Sequence, residues 1–276
     1  MRIRKSQITE GVSLETGELG LHIPFGSGIR WTTPEQREAF KQKKERQRTP
    51  GRDREFVFTD MDEIRAVIEV LNETECGRLL FLQTFVERNT NRLVKGKKPM
   101  SKRDIKETLG LDDKSFGAFF NAMERYRIVI SVENGGFAIN DRYHFSGKTD
   151  NTHVIKSFST RVRDLYGKYD PRDLGFIFKL LPFVHYWTNT ICRNPNEPEI
   201  ESIEALSKQE IAEITGMNES TVYRKISRLQ FDGMFVLAEV KRGKERFYKL
   251  NPFVFYRQFG EAPVTLRADF LIKSRR

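Results

Sequence analysis

The segment Ser207-Lys208-Gln209-Glu210-Ile211-Ala212-Glu213-Ile214-Thr215-Gly216-Met217-Asn218-Glu219-Ser220-Thr221-Val222-Tyr223-Arg224-Lys225-Ile226-Ser227-Arg228-Leu229 sets the architecture. Ser207 and Glu210, three residues apart, form a capping box, in which each side chain accepts a hydrogen bond from a backbone N–H left free at a helix start. Ile211, Ala212 and Ile214 carry that helix to Gly216, where a glycine can adopt the left-handed conformation that closes a helix. Asn218 is placed to cap a second helix directly afterwards. On it Val222, Ile226 and Leu229 recur at spacings of four and three, one apolar stripe, and Ser220, Thr221, Tyr223, Arg224, Ser227 and Arg228 fall mostly off it. The spacing predicts a helix-turn-helix.

Working outward, residues 234–240 and 246–250 are β-prone runs around Lys241-Arg242-Gly243-Lys244-Glu245, a hairpin with a cationic tip. A helix-turn-helix followed by such a hairpin is a winged helix. Its second helix matches the width of a DNA major groove, and its wing can reach neighbouring phosphates.

The unit occurs twice. At an offset of 106, Ser101-Lys102-Arg103-Asp104-Ile105 aligns with Ser207 to Ile211, Gly110 with Gly216, Asp112 with Asn218, and Phe116, Phe120 and Met123 with Val222, Ile226 and Leu229. At an offset of 98, Gly77 aligns with Gly175, Leu79-Leu80 with Ile177-Phe178, and Phe85-Val86 with Phe183-Val184. The eight-residue difference falls near 194–204, where Pro195 and Pro198 mark a loop. Phe137-Ala138-Ile139-Asn140 answers the closing strand that ends at Asn251.

The copies differ in chemistry. The second helix of copy one opens with Asp112 and Asp113 and offers Lys114, Ser115, Gly117, Ala118 and Asn121, with Phe119 added; its wing turns at Glu133-Asn134-Gly135-Gly136 without a cation. Base reading is therefore assigned mainly to copy two. Copy one is read as biased toward dimer or interdomain packing, or toward auxiliary backbone contact through Lys97, Lys98, Lys102 and Arg103.

Composition fits these readings. The 276 residues hold 48 Lys plus Arg against 38 Asp plus Glu, a net +10, so polyanions are the natural partners. The excess is uneven: 12 basic and 8 acidic residues in 1–55, 14 and 14 in 56–147, 22 and 16 in 148–276. The first segment reads as a basic flexible arm, with a short charged helix expected over 35–48 and a cationic run from Lys41 to Arg54. The second reads as winged-helix domain 1, and the third as winged-helix domain 2 with a linker helix and a C-terminal extension. The predicted class is mainly α with small β-hairpins, α+β.

Cys76 and Cys192 make neither a disulfide framework nor a zinc site. No run of about 18 apolar residues predicts a membrane span. His22, His144, His153 and His185 are isolated from one another, and no GxxxxGK loop occurs. The expectation is a binding protein and not an enzyme, without catalytic residues, metal or cofactor. The Phe-rich stripes before Phe85 and Phe183 are read as core helices. His185, Tyr186 and Trp187 are read as packing residues before an effector pocket.

From Lys179 to Tyr256 the chain resembles MarR-like winged-helix proteins and RepL-type replication proteins of plasmids and phages, through the helix-turn-helix over 207–233 and the closing Phe247-Tyr248-Lys249-Leu250-Asn251-Pro252. Two winged helices in one chain also resemble the iteron-binding plasmid initiators, an architectural likeness. The expectation from the motifs, the charge and the two lone cysteines is a cytoplasmic, nucleoid-associated protein that binds specific double-stranded DNA as a homodimer or as adjacent copies, on half-sites about 10 bp apart. Its role would be transcriptional regulation of a mobile element, with replication initiation at origin repeats as the alternative and a nickase or recombinase behind both. The residues expected to contact DNA are Ser220, Thr221, Tyr223 and Arg224 at bases and Lys225 and Arg228 at phosphates. Lys241, Arg242, Lys244 and Arg246 belong to the wing, and Lys208, Lys102, Arg103 and Lys114 are auxiliary.

Overall fold

The computed structural model describes residues 9–12, 19–22 and, apart from 134, 244, 261 and 263, residues 55–272. The chain divides into two compact units, Met1–Gly51 and Arg52–Arg276. In the first, strands β1 (Thr9–Val12) and β2 (Leu19–His22) pair antiparallel. The helix expected over 35–48 and the basic run from Lys41 to Arg54 lie outside the described residues.

The second unit is a mixed α/β assembly with eight α-helices and small antiparallel sheets among the described residues. A common set of elements runs through it twice, with one small strand pair peculiar to each copy. Copy one has β3 (Phe56–Asp60), α1 (Ile64–Val70), α2 (Glu73–Leu82), a small hairpin β4 (Val94–Lys95) and β5 (Lys98–Pro99), α3 (Lys102–Leu109), α4 (Asp113–Arg125), the hairpin β6 (Val129–Ser131) and β7 (Phe137–Ile139), and β8 (His144–Phe145). Copy two has β9 (Val154–Phe158), α5 (Ser159–Lys168), α6 (Pro171–Leu180), α7 (Lys208–Thr215), α8 (Glu219–Arg228), β10 (Gln230–Phe231), β11 (Met234–Phe235), the hairpin β12 (Leu237–Arg242) and β13 (Glu245–Leu250), and β14 (Phe255–Tyr256).

Both helix pairs are built as their caps dictate. Ser101 with Asp104, and Ser207 with Glu210, close complete capping boxes at α3 and α7. Gly110 and Gly216 end those helices in the left-handed region, at φ 66° and 71°. Asp112 and Asn218 then cap α4 and α8. The run expected as one strand over 234–240 is divided: β11 pairs with β10, and the long hairpin begins only at Leu237.

The copies meet about an approximate two-fold axis. β3 pairs antiparallel with β9, so that Phe58 faces Lys156, its own counterpart at offset 98, and Val57–Ser157 is mirrored by Thr59–Ile155. With β8 and β14 outside them, these strands form one four-stranded sheet in the order β14-β9-β3-β8. α2 packs against α6, and here the repeated glycines have a physical reason. A Cβ on Gly77 would stand 1.8 Å from the Pro171 carbonyl oxygen, and one on Gly175 would stand 1.8 Å from that of Glu73. Backbones this close leave room only for hydrogen. Arg65 of α1 donates to the Pro182 carbonyl at 3.1 Å and lies over the Phe183 ring; Arg163 of α5 likewise donates to the Thr84 carbonyl and lies over Phe85. Each contact occurs in both directions, which is the signature of a two-fold interface. A continuous hydrophobic core therefore runs through both copies, including Leu79, Leu80, Phe176 and Phe178.

Each copy also has a buried asparagine in the left-handed region that ties its hairpin to its outer strand. Asn91 donates to the carbonyls of Ile139 and His144, and Asn189 to those of Leu250 and Phe255. An unpaired amide would be costly there, and two carbonyls fully occupy the donor end.

Candidate nucleic-acid interface

α8 is held along its whole length. At its start the Asn218 side chain accepts from the Thr221 N–H at 2.8 Å, and the Ser220 hydroxyl donates to the same oxygen. Below it Val222 and Ile226 are buried, as is Leu229 just beyond. At its end the Tyr169 hydroxyl donates to the Gln230 carbonyl at 2.8 Å and accepts from the Gln230 N–H at 2.9 Å. Across the middle, Lys225 Nζ reaches Asp173 at 2.7 Å and the Arg172 carbonyl at 3.3 Å.

That last pair corrects the role expected for Lys225. Its side chain is only 11% exposed and that of Asp173 only 7%, so its ammonium is an internal tie to α6 and not a phosphate ligand. The physical reason is helical phase: Lys225 precedes Ile226 and follows Val222 by three, on the edge of the apolar stripe, and its long stem lets the charge reach a carboxylate beneath the helix. Phe119, its counterpart at offset 106, is corrected in the same way. Expected on the presenting face of α4, it is buried, with the Arg78 guanidinium over its ring.

The outer face of α8 carries Ser220, Tyr223, Arg224, Ser227 and Arg228, all exposed, with Thr221 half-buried. Tyr223 is 60% exposed. Arg224 has no side-chain partner among the described residues, while Arg228 lies near the Tyr169 ring. In the adjoining hairpin Lys241 faces Arg246 across the strands, and Arg246 also reaches Glu239 at 3.2 Å. Arg242 lies on β12, Gly243 at the turn; Lys244 and the Arg242 side chain lie outside the described residues. Lys208 bridges to Glu219 at 2.9 Å and so joins α7 to α8.

Electrostatics around α7 support rigidity. The Ser207 hydroxyl, and then Arg193, hold the Glu210 carboxyl down to about 2, so the capping box stays ionised at neutral pH. In copy one the acidic start of α4 is structural too. Asp112 accepts from the Ser115 N–H and hydroxyl, which lowers its pKa, and Asp113 pairs with Lys106. Lys102 is drawn to Glu124 at 3.1 Å and lies over the Phe120 ring, and Arg103 pairs with Glu107 at 2.9 Å. Lys114 is exposed without an ion pair among the described residues.

His144 is fully buried. Its Nδ1 lies 3.0 Å from the Thr59 hydroxyl, and desolvation pushes its pKa down to about 3. His185 is also enclosed, with Nε2 at 2.8 Å from the Glu197 carbonyl, and burial lowers its pKa. Trp187 differs from its neighbour, being 54% exposed, so packing accounts for His185 and not for Trp187. Among the described residues no group of three or more His, Cys, Asp or Glu side chains is placed to hold a metal ion, and no helix is long and apolar enough to cross a membrane.

The signal that could have found Arg65 and Arg163 was already in the repeat, since they stand 98 residues apart as the two glycines do. No family model, curated protein or solved structure matches the chain.

Proposed function

We propose that this chain is a sequence-specific double-stranded DNA-binding protein made of two winged helices, in which α8 reads bases and the β12–β13 hairpin holds phosphates. The observation that carries this reading is the division of α8 into two faces. One is fixed by Val222, Ile226 and the Lys225–Asp173 pair, and the other offers exposed Tyr223 and Arg224, the latter with no side-chain partner among the described residues, while the hairpin that follows carries the cations Lys241 and Arg246. A rigid helix with a free guanidinium suits bidentate hydrogen bonding to guanine, and the neighbouring cations suit the backbone. Arg228 and Lys241 take phosphate roles; Lys225 takes none.

Regulation of a mobile element and replication initiation both use such an interface. The two-fold relation within one chain favours the second. A single chain with unlike halves fits an asymmetric site, which adjacent chains would occupy as direct repeats, whereas a symmetric dimer calls for an inverted repeat.

The test is selection of duplexes from a random pool by the full chain, followed by Arg224→Ala on the recovered sequence. The substitution is expected to cost about 1 to 3 kcal/mol on that sequence and to relax selectivity. Equal loss on recovered and random duplex would remove Arg224 from base reading. Direct repeats in the pool would support initiation, and inverted repeats regulation.

A further inference from the structure

The copies exchange charge at two equivalent places. In copy two the β12–β13 hairpin carries Lys241 and Arg246, while the segment between Ile191 and Leu206 carries Glu197, Glu199, Glu201 and Glu204. In copy one the β6–β7 hairpin has Glu133 near its turn, while the segment between Leu93 and Met100, the counterpart of 191–206, folds into β4–β5 with Lys95, Lys97 and Lys98. The equivalence is anchored by the same hydrogen bond in both copies, Met100 N–H to Leu93 and Leu206 N–H to Ile191, each at 2.9 Å.

The β4–β5 hairpin is tight and firmly seated. Lys95 pairs with Lys98 across a two-residue turn in which Gly96 has a φ of 67°. The Leu93 N–H donates to Phe137 at 2.8 Å, Arg92 bridges to Ala138, and Pro99 lies so close to Gly136 that a Cβ there would stand 2.9 Å away. This binds β4–β5 to the flank of β6–β7. All three lysines are exposed, and none has an ion pair or a side-chain hydrogen bond among the described residues. Three like charges within four positions, exposed and with only Lys95 within electrostatic reach of a carboxylate, that of Asp104, concentrate positive potential at this hairpin and suit it to a polyanion.

We infer that the β4–β5 hairpin is a phosphate clamp for duplex DNA, standing beside copy one's cation-free β6–β7 hairpin and supplying there the charge that the β12–β13 wing carries in copy two. It rests on the DNA-binding reading above and extends it: the chain grips the duplex backbone on both sides of its two-fold axis, while base reading stays with α8.

The test uses the full chain on the duplex recovered by selection, comparing Lys95→Ala/Lys97→Ala/Lys98→Ala with the corresponding triple arginine variant. Circular dichroism checks that both remain folded. The alanine variant is expected to lower the slope of log K against log salt by about 2 to 3, on the order of 0.9 for each phosphate no longer neutralised, and to erase hydroxyl-radical protection at one end of the footprint only. The arginine variant restores both. An unchanged slope and footprint would overturn the clamp, while the response to Arg224→Ala would still report separately on base reading. A chain that recovers no duplex overturns both.

Discussion

Copy one and copy two share a backbone plan but were given different surfaces. Where copy two seats its second helix on a lysine–aspartate pair, copy one seats it on Phe119. Where copy two ends its long hairpin in cations, copy one moves them to the hairpin beside it. Core and axis contacts, by contrast, are repeated almost literally: Gly77 with Gly175, Arg65 with Arg163, Asn91 with Asn189. The difference teaches that the interface between copies is the constrained part, because each of its contacts is made twice against unyielding backbone. The outward faces have no such reciprocal demand and are free to diverge.

The most severe way to break the shared plan is at the helix crossing. Gly175→Ala places a methyl group against the Glu73 carbonyl, and is expected to cost more than about 4 kcal/mol or to prevent folding. Gly167→Ala, on a helix with open space around it, should be neutral or stabilising by up to about 1 kcal/mol. Urea titrations of the two variants compare them directly; equal stabilities would refute the close crossing.

The seat of α8 is the next test. Asp173→Ala leaves the Lys225 ammonium buried without its counter-charge and should destabilise by about 3 to 5 kcal/mol. Lys225→Met, which fills the space without a charge, should retain more of that stability and leave the salt dependence of duplex binding unchanged. A fall in salt slope for Lys225→Met would return Lys225 to the phosphate-contacting face.

A smaller effect separates the outer strands. His144 occupies in copy one the place that Phe255 has in copy two, and both outer strands pair with the strands next to the axis. With its folded pKa at about 3 and an ordinary value near 6.5, the unfolded chain binds the proton first as pH falls. Stability is therefore full above about pH 6.5 and declines toward pH 3, by about 1.4 kcal/mol per pH unit for this one group. His144→Phe should flatten that slope relative to wild type in thermal melts from pH 7 to 4. An unaltered slope would mean that other groups set the acid response.

Much of this was legible in the chain. Ser207 and Glu210, Gly216 and Asn218 announced the helix pair by local rules, and the offsets of 98 and 106 announced its repetition. The four-stranded sheet was not legible, because β3 and β9 are short and their partners lie 85 or more residues away, beyond any periodicity. Lys225 and Phe119 were misplaced for a related reason. Residues at the edge of an apolar stripe are assigned to a face by what waits beneath the helix, and no local pattern reports that.

By itself the sequence determined which segments become capped helices, where each stops, that the unit is repeated, and where the positive charge is concentrated. These follow from hydrogen-bond caps, backbone torsions and composition, all of which act within a few residues. Only the tertiary structure decided that the copies meet about a two-fold axis, that Lys225 turns inward, and that the lysines of β4–β5 stand at the flank of a charge-poor hairpin. Those outcomes depend on packing between segments about 100 residues apart, where shape and burial outweigh local preference.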